Sequence, residues 1–269
     1  MFRRAVNVLS LVLSLSVGAG HARAQPSAER STQDCRAGEG QVDRIYCETR
    51  EVAVPLTKAL RVSAPLNGSI RVHGWDKPEI RAWARVEANA PMDQEARDLA
   101  RAVTTFALHD ELRAEGASVS PRRSWSVSYD IWVPTQTDLE LTAYNGNVAV
   151  EKVNARVNAE TKNGSLSMTD LAGDVRGRTA NGAVNVEVEG DRWQGSGLDL
   201  TTVNGAVALT VPRNYSADLE IGTSNGDMNV DFPITLQGRI TRRLTFTLGN
   251  GGPLIRVLSA NGSAWFRER

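Results

Sequence analysis

The sequence predicts an all-β fold, a β-solenoid of Asn-Gly-cornered coils with one short N-terminal helix. Apolar and polar residues alternate with a period of two, an Asn-Gly pair recurs about every 20 residues, and the same residue types recur at fixed offsets from it. An array of β-hairpins fits the alternation as well, with each Asn-Gly as a two-residue turn. The composition, 41% apolar and 23% charged in 269 residues, is that of a globular protein.

Residues 1–24 have the pattern of a secretory signal peptide. Arg3 and Arg4 precede an apolar run over residues 5–17, and Ala22-Arg23-Ala24 ends the segment as a small-x-small cleavage site. The apolar run is shorter than the roughly 20 residues that span a bilayer as a helix. We therefore expect cleavage after Ala24 and export to the periplasm or the cell surface, as a chain that does not span the membrane.

The segment 25–50 contains the two cysteines of the chain, Cys35 and Cys47. In an exported protein, an even pair so close in sequence predicts a disulfide. A metal site is disfavoured, because no neighbouring histidine or third cysteine completes a tetrahedral ligand set. With 31 basic and 31 acidic residues, the chain also has no excess charge that would favour nucleic acid.

Residues 51–133 predict an N-terminal β section with an inserted helix at about 91–105. Residues 79–88 alternate as a strand, Pro91 then opens the helix, and two further strands follow in FALHDELRAEG and SWSVSYDIWVP. The apolar stripe of the helix is expected to consist of Ala96, Leu99, Ala100 and Val103. The buried face of the last strand is expected to consist of Trp125, Val127, Tyr129 and Ile131.

Residues 134–269 predict a β-repeat section that is continuous with the preceding one. The Asn-Gly pairs from Asn145 onward follow each other at steps of 18, 18, 23, 21, 25 and 11 residues, and two of the later pairs begin at Asn250 and Asn261. Glycine and asparagine tolerate the positive φ angles of tight turns, which makes each pair a predicted corner. The structural corners expected from this pattern are Asn67, Gly68, Asn145, Gly146, Asn163, Gly164, Asn181, Gly182, Asn204, Gly205, Asn225 and Gly226.

Fixed offsets from each Asn favour the solenoid over the hairpin array. The residues six and four before it and three and five after it are mostly apolar, and a threonine stands two before it at Thr161, Thr179, Thr202 and Thr223. Repeats stacked in register form ladders of identical side chains, whereas independent hairpins do not need a repeated threonine. The hairpin alternative would instead pair Thr202 with Val207.

Several phrases carry a family resemblance. The runs "LAGDVRGRTANGAVNVEVEG" and "YSADLEIGTSNGDMNVDFP", with "YCETREV" and "SWSVSYDIWVP" upstream, resemble the bacterial putative-adhesin family, over nearly all of residues 47–266. The resemblance implies a single-stranded β-helix at the cell envelope or outside it. Its motifs are repeat positions, and the family brings no catalytic residues that could be assigned here.

The sequence offers no convergent catalytic set, so we expect no enzyme, no cofactor and no metal. Neither a Gly-x-Ser-x-Gly nor a His-Glu-x-x-His motif occurs, and His73 and His109 are expected to be surface or turn residues. Carboxylates on adjacent coils could cleave polysaccharides or bind Ca²⁺. They do not recur at one offset, however, which favours a solvated strand face: Asp170, Asp174, Glu187, Glu189, Asp191, Asp227 and Asp231.

Trp193 is the candidate for a ligand contact, because its coil is about five residues longer than its neighbours and insertions in repeat proteins often form binding loops. The alternative is that Trp193 folds back over the apolar edge of its coil. The expected function is a non-catalytic, adhesin-like or scaffold module of the envelope, with carbohydrate or an envelope protein as partner. A periplasmic regulatory partner and a polysaccharide-active enzyme are the alternatives.

Overall fold

The computed structural model describes residues 44–231 and 242–269, which form two ten-stranded sheets around one hydrophobic core. The signal segment and Cys35 lie outside these residues, so the expected cleavage and disulfide remain predictions. Sheet A contains, in spatial order, β1 (Arg44–Val52), β4 (Arg81–Ala90), β7 (Ser124–Pro134), β3 (Ile70–Trp75), β9 (Val148–Glu151), β11 (Leu166–Thr169), β13 (Val184–Glu187), β15 (Val207–Val211), β20 (Ala264–Glu268) and β17 (Met228–Val230).

Sheet B supplies the other wall of each coil. Its strands are, in spatial order, β18 (Arg243–Leu248), β16 (Ala217–Asn225), β19 (Leu254–Asn261), β14 (Gly197–Asn204), β12 (Ala172–Asn181), β10 (Asn154–Asn163), β8 (Asp138–Asn145), β2 (Ala59–Asn67), β6 (Glu111–Glu115) and β5 (Thr104–Leu108). Each coil runs along a strand of sheet B and returns along a strand of sheet A, and every coil except β6–β7 turns at an Asn-Gly corner. Equivalent strands of neighbouring coils pair in parallel and in register.

The predicted solenoid is therefore confirmed and the hairpin array is wrong. Thr202 lies in β14 of sheet B and Val207 in β15 of sheet A, so the two are not cross-strand partners. Thr202 pairs instead with Thr179 and Ser259 of the adjacent coils. The alternating apolar residues point inward from both sheets and form the core, for example Leu200 and Leu209.

An amide ladder runs along the outside of the corner. Beyond Asn67, each Asn side chain donates its Nδ2 to the Oδ1 of the Asn in the neighbouring coil on the side of Asn67, at 2.7–2.9 Å. A second ladder runs inside, where buried hydroxyl groups donate to the carbonyl of the adjacent corner glycine at 2.7–2.8 Å. The amide ladder contains, in spatial order, Asn67, Asn145, Asn163, Asn181, Asn204, Asn261 and Asn225.

Glycine is required at these corners mainly because neighbouring coils stack too closely for a Cβ. The sequence interpretation, which explained the glycines by positive φ angles, is corrected in this respect. A Cβ on Gly146, Gly164, Gly182 or Gly205 would lie 1.9–2.0 Å from the carbonyl oxygen of the glycine in the adjacent coil, and none of these four has a positive φ. Asn250-Gly251 is not a corner of a coil, because it lies in the turn after β18, whereas Asn261-Gly262 is one.

Chain order and spatial order differ at both ends of the stack. The coil β19–β20 lies between β14–β15 and β16–β17, although it follows both in the chain. At the other end, the coil β2–β3 lies between β6–β7 and β8–β9. The stack therefore includes residues 59–75, which precede the predicted repeat section, and this is why the two sections are continuous.

Additional elements cover the ends of the stack. At the N-terminal end, β4 pairs antiparallel with β7 and β1 pairs antiparallel with β4, and the helix α1 (Asp93–Ala102) packs against β1 and β4 with Ala96 and Ala100 buried. This helix is shorter than the predicted 91–105, because Val103 already has an extended backbone. At the other end, β18 pairs antiparallel with β16. Exposed strand edges invite aggregation, and these antiparallel strands end the parallel stack at β7 and at β16. No helix among the described residues is long and apolar enough to cross a membrane.

Candidate binding face on sheet A

The outward face of sheet B is charged along its whole length. One outward row alternates in sign from coil to coil except at the uncharged Asn158, and several of its members form ion pairs: Asp199 pairs with Arg256 of the same row, and Glu220 pairs with Arg243 of β18. Long charged side chains keep water on such a face and oppose docking. The row consists of Glu111, Arg61, Glu140, Asn158, Arg176, Asp199, Arg256 and Glu220.

The outward face of sheet A differs over its four central coils. The first two outward positions after each corner hold short, uncharged side chains, which we call the uncharged band. Strands β9, β11, β13 and β15 pair in register, so these side chains form two straight rows. The band consists of Asn147, Ala149, Ser165, Ser167, Ala183, Asn185, Ala206 and Ala208, all at least partly exposed.

A tryptophan lies next to one end of the uncharged band. Trp265 of β20 is the register partner of Ala208, and the guanidinium of Arg267 lies 5.0 Å from its ring centroid. On the other side, β3 separates the band from Trp132 of β7, which is half-buried, with the ring of Trp83 edge-on at 5.0 Å. The indole of Trp265 beside hydrogen-bonding side chains suits a ligand with both apolar and polar faces.

His73 lies beside the uncharged band, in a cluster drawn from three strands. Its Nδ1 is 2.7 Å from Oε1 of Glu151 on β9, and its Nε2 is 2.9 Å from Oδ1 of Asp130 on β7. The imidazole also stacks on Trp132, with ring centroids 4.5 Å apart and an interplanar angle of 23°. The His73 side chain is only 18% exposed. Sequence reasoning placed His73 on the surface and missed this cluster.

The electrostatics of the cluster favour the charged form of His73. Burial of the ring lowers the pKa of His73, whereas the hydrogen bonds and negative charges of Asp130 and Glu151 raise it. The carboxylates outweigh burial, so the pKa of His73 lies above its usual value.

Several of the acidic residues considered for catalysis form ion pairs with arginines. Arg269 donates to Glu187 at 2.6 Å and to Glu189 at 3.1 Å, which neutralises much of that group. Burial raises the pKa of Asp170, and the charge of Glu189 raises it further. Asp174 pairs with Arg176 at 3.4 Å. These contacts favour a solvated, ion-paired surface, and within the described residues no group of three His, Cys, Asp or Glu side chains could hold a metal ion.

Trp193 is buried, which corrects its assignment as a ligand contact. The side chain is 3% exposed, and its indole Nε1 donates to the carbonyl of Gly173 at 3.0 Å. The alternative reading is therefore the right one: the longer coil folds its tryptophan back over the apolar edge. His109, the second histidine within the described residues, lies exposed in the turn between β5 and β6, with a φ of 57°.

The sequence matches the model of a known protein family. The family model described as Toastrack DUF4097 matches residues 106–263, which is more than half of the chain. The chain belongs to the Toastrack DUF4097 family. This match confirms the family resemblance found in the repeat phrases, and it covers all the Asn-Gly corners from Asn145 onward. No curated protein matches the sequence.

Solved structures with similar architecture are distant in sequence. A structure described as a putative cell adhesion protein from Clostridium sporogenes matches with a TM-score of 0.44 and 10% identity, over 84% of this chain and 100% of that one. A putative adhesin from Bacteroides fragilis matches with a TM-score of 0.38 and 10% identity, over 83% and 97%. A putative lipid binding protein from Parabacteroides distasonis matches with 0.31 and 12%, over 83% and 96%.

Proposed function

We propose that this Toastrack DUF4097 protein is an exported, non-catalytic binding module of the cell envelope, and that the uncharged band on sheet A binds an uncharged glycan chain. The observation that carries the proposal is the contrast between the two outward faces. Sheet B presents charges in every coil, whereas sheet A presents eight short, uncharged side chains over four consecutive coils.

The chemistry of the uncharged band supports a neutral, hydroxyl-rich ligand. Ser165, Ser167 and Asn185 offer hydroxyl and amide groups that both donate and accept hydrogen bonds. Since none of the band's side chains is charged, docking there carries no cost of stripping water from an ion. Both rows are straight, and neighbouring side chains within a row are one strand apart, about 4.8 Å, which suits an extended polymer along the solenoid axis.

The first 24 residues support the export that this function requires, because a glycan-binding module acts at the envelope. The pairing of Glu187 and Glu189 with Arg269 supports a role without catalysis, because it holds both carboxylates in ion pairs. We propose the periplasm or the cell surface as the location.

Binding to a panel of uncharged envelope glycans tests the proposal. We expect Ser167→Arg and Ala208→Arg to weaken binding at least about tenfold, because each places a long cation on the uncharged band. The matched control is Asn158→Arg, on the outward row of sheet B, which should leave the affinity unchanged. If the unmodified chain binds no glycan in the panel, or if all three variants lose the same affinity, the proposal is wrong. If the unmodified chain captures an envelope protein, and Ser167→Arg but not Asn158→Arg loses it, the ligand of the band is a protein and not a glycan.

A further inference from the structure

His73 connects three parts of the chain that are far apart in sequence. It lies on β3, and its two ring nitrogens contact Asp130, 57 residues away, and Glu151, 78 residues away. These residues belong to β7 and β9, the two neighbours of β3 in sheet A. The contacts cross the seam where the coil β2–β3 separates the end coil β6–β7 from the coil β8–β9.

With Asp130 and Glu151 ionised, the geometry requires both ring nitrogens of His73 to carry protons. A neutral imidazole has one N–H and one acceptor nitrogen. If His73 were neutral, one of its contacts at 2.7 and 2.9 Å would place a nitrogen lone pair against a carboxylate oxygen. As an imidazolium, the ring donates to both carboxylates and also lies as a cation on the indole face of Trp132, 4.5 Å away.

The other charged groups near the ring are known from the register. On β3 itself, Arg71 lies opposite Asp130. On β4, Arg81 lies opposite Trp132. On the other side, Lys152 follows Glu151, and Asp170 interacts electrostatically with both. Asp130 and Glu151 are nevertheless the only groups of β7 and β9 within hydrogen-bond distance of the ring among the described contacts.

We propose that His73 is a pH-sensitive clamp, which fastens the end coil β6–β7 to the stack while its ring is charged and loses one carboxylate contact when the ring loses a proton. This inference goes beyond the proposed function and does not depend on it. If the tests below show that His73 is not such a clamp, the proposal that the uncharged band binds a glycan still stands.

The direction of the pH dependence follows from the raised pKa of His73. The stabilisation is complete below the value of an unfolded histidine, near 6.5, and it is lost as the pH rises through the higher pKa of the folded protein. The seam is therefore tightest in mildly acidic to neutral solution and weakens at alkaline pH.

Nitrogen and proton NMR of the full chain tests the charge state, with the His73 signals assigned by their absence in His73→Gln. We expect a His73 titration midpoint above 6.5 and both nitrogens protonated at pH 6.5. Asp130→Asn and Glu151→Gln should each lower the midpoint. A wild-type midpoint at or below 6.5, or a midpoint that neither variant moves, would overturn the clamp.

Chemical unfolding at several pH values tests the consequence for the seam. We expect the midpoint denaturant concentration of His73→Gln to be below that of the unmodified chain at pH 6, with the difference shrinking towards pH 9. The control His109→Gln, in an exposed turn, should show no such pH-dependent difference. A difference for His73→Gln that stays constant from pH 6 to 9 would indicate packing alone and would overturn the proposal.

Discussion

The hydroxyl of Thr202 donates a 2.8 Å hydrogen bond to the carbonyl of Gly182, one coil away. The same contact recurs from Thr161 to Gly146 and from Thr179 to Gly164. Each of these threonines is almost fully buried, so its hydroxyl finds its hydrogen-bond partner in the glycine carbonyl rather than in water. Neighbouring coils are thus joined inside the corner by hydroxyl groups and outside it by asparagine amides.

We expect Thr202→Asp to lower the free energy of unfolding by about 3 kcal/mol, because it buries a charge without a partner. Thermal unfolding followed by circular dichroism measures the loss. The matched control is Val203→Asp at the next residue, which is 50% exposed and should change the melting temperature little. Equal melting temperatures for Thr202→Asp and the unmodified chain would argue against the inner ladder.

We expect Gly182→Ala to destabilise the fold by at least about 2 kcal/mol, through overpacking. The added Cβ would lie 1.9 Å from the carbonyl oxygen of Gly164, so the two coils would have to separate. Urea unfolding measures the change, and Ala206→Ser, at an exposed residue just after a corner, serves as the control. A Gly182→Ala variant as stable as the control would show that the coils do not stack this closely.

The repeat made most of the solenoid predictable from the sequence. Period-two alternation fixes which residues face inward, and the recurring Asn-Gly fixes where each coil turns. The order of the coils was not predictable, because the corners are alike and any of them can stack on any other. Asn225 follows Asn204 in the chain and could stack on it, but in the structure Asn261 stacks on Asn204 and Asn225 stacks on Asn261. The coil 59–75 was obscured by a register shift between Ala64 and Asn67, which disturbs the spacing before its corner.

The candidate site was less predictable than the fold. The uncharged band becomes visible only when outward residues of β9, β11, β13 and β15 are placed side by side. The cluster around His73 depends on the coil β2–β3 lying next to both β7 and β9, which the chain order does not reveal. Trp193 misled the sequence interpretation because insertion length cannot distinguish a loop that projects from one that folds back.

The disulfide between Cys35 and Cys47 stays a prediction. Closing such a short loop contributes on the order of 3 kcal/mol in the chain-entropy model. Mass spectrometry of the protein purified from an oxidising compartment should show no thiol that reacts with an alkylating reagent until a reductant is added. Alkylation of both cysteines without reductant would contradict the bridge.

Spin-label distances test the stacking of the coils most directly. Arg61, Arg256 and Glu220 share one outward row of sheet B, and Arg256 lies five strands from Arg61 whereas Glu220 lies six strands away. With labels at cysteines introduced there, and Cys35 and Cys47 replaced by serine, we predict about 24 Å for Arg61–Arg256 and about 29 Å for Arg61–Glu220, at roughly 4.8 Å per strand. A longer distance to Arg256 than to Glu220 would contradict the inserted coil, and distances that fit no multiple of the strand spacing would contradict the solenoid.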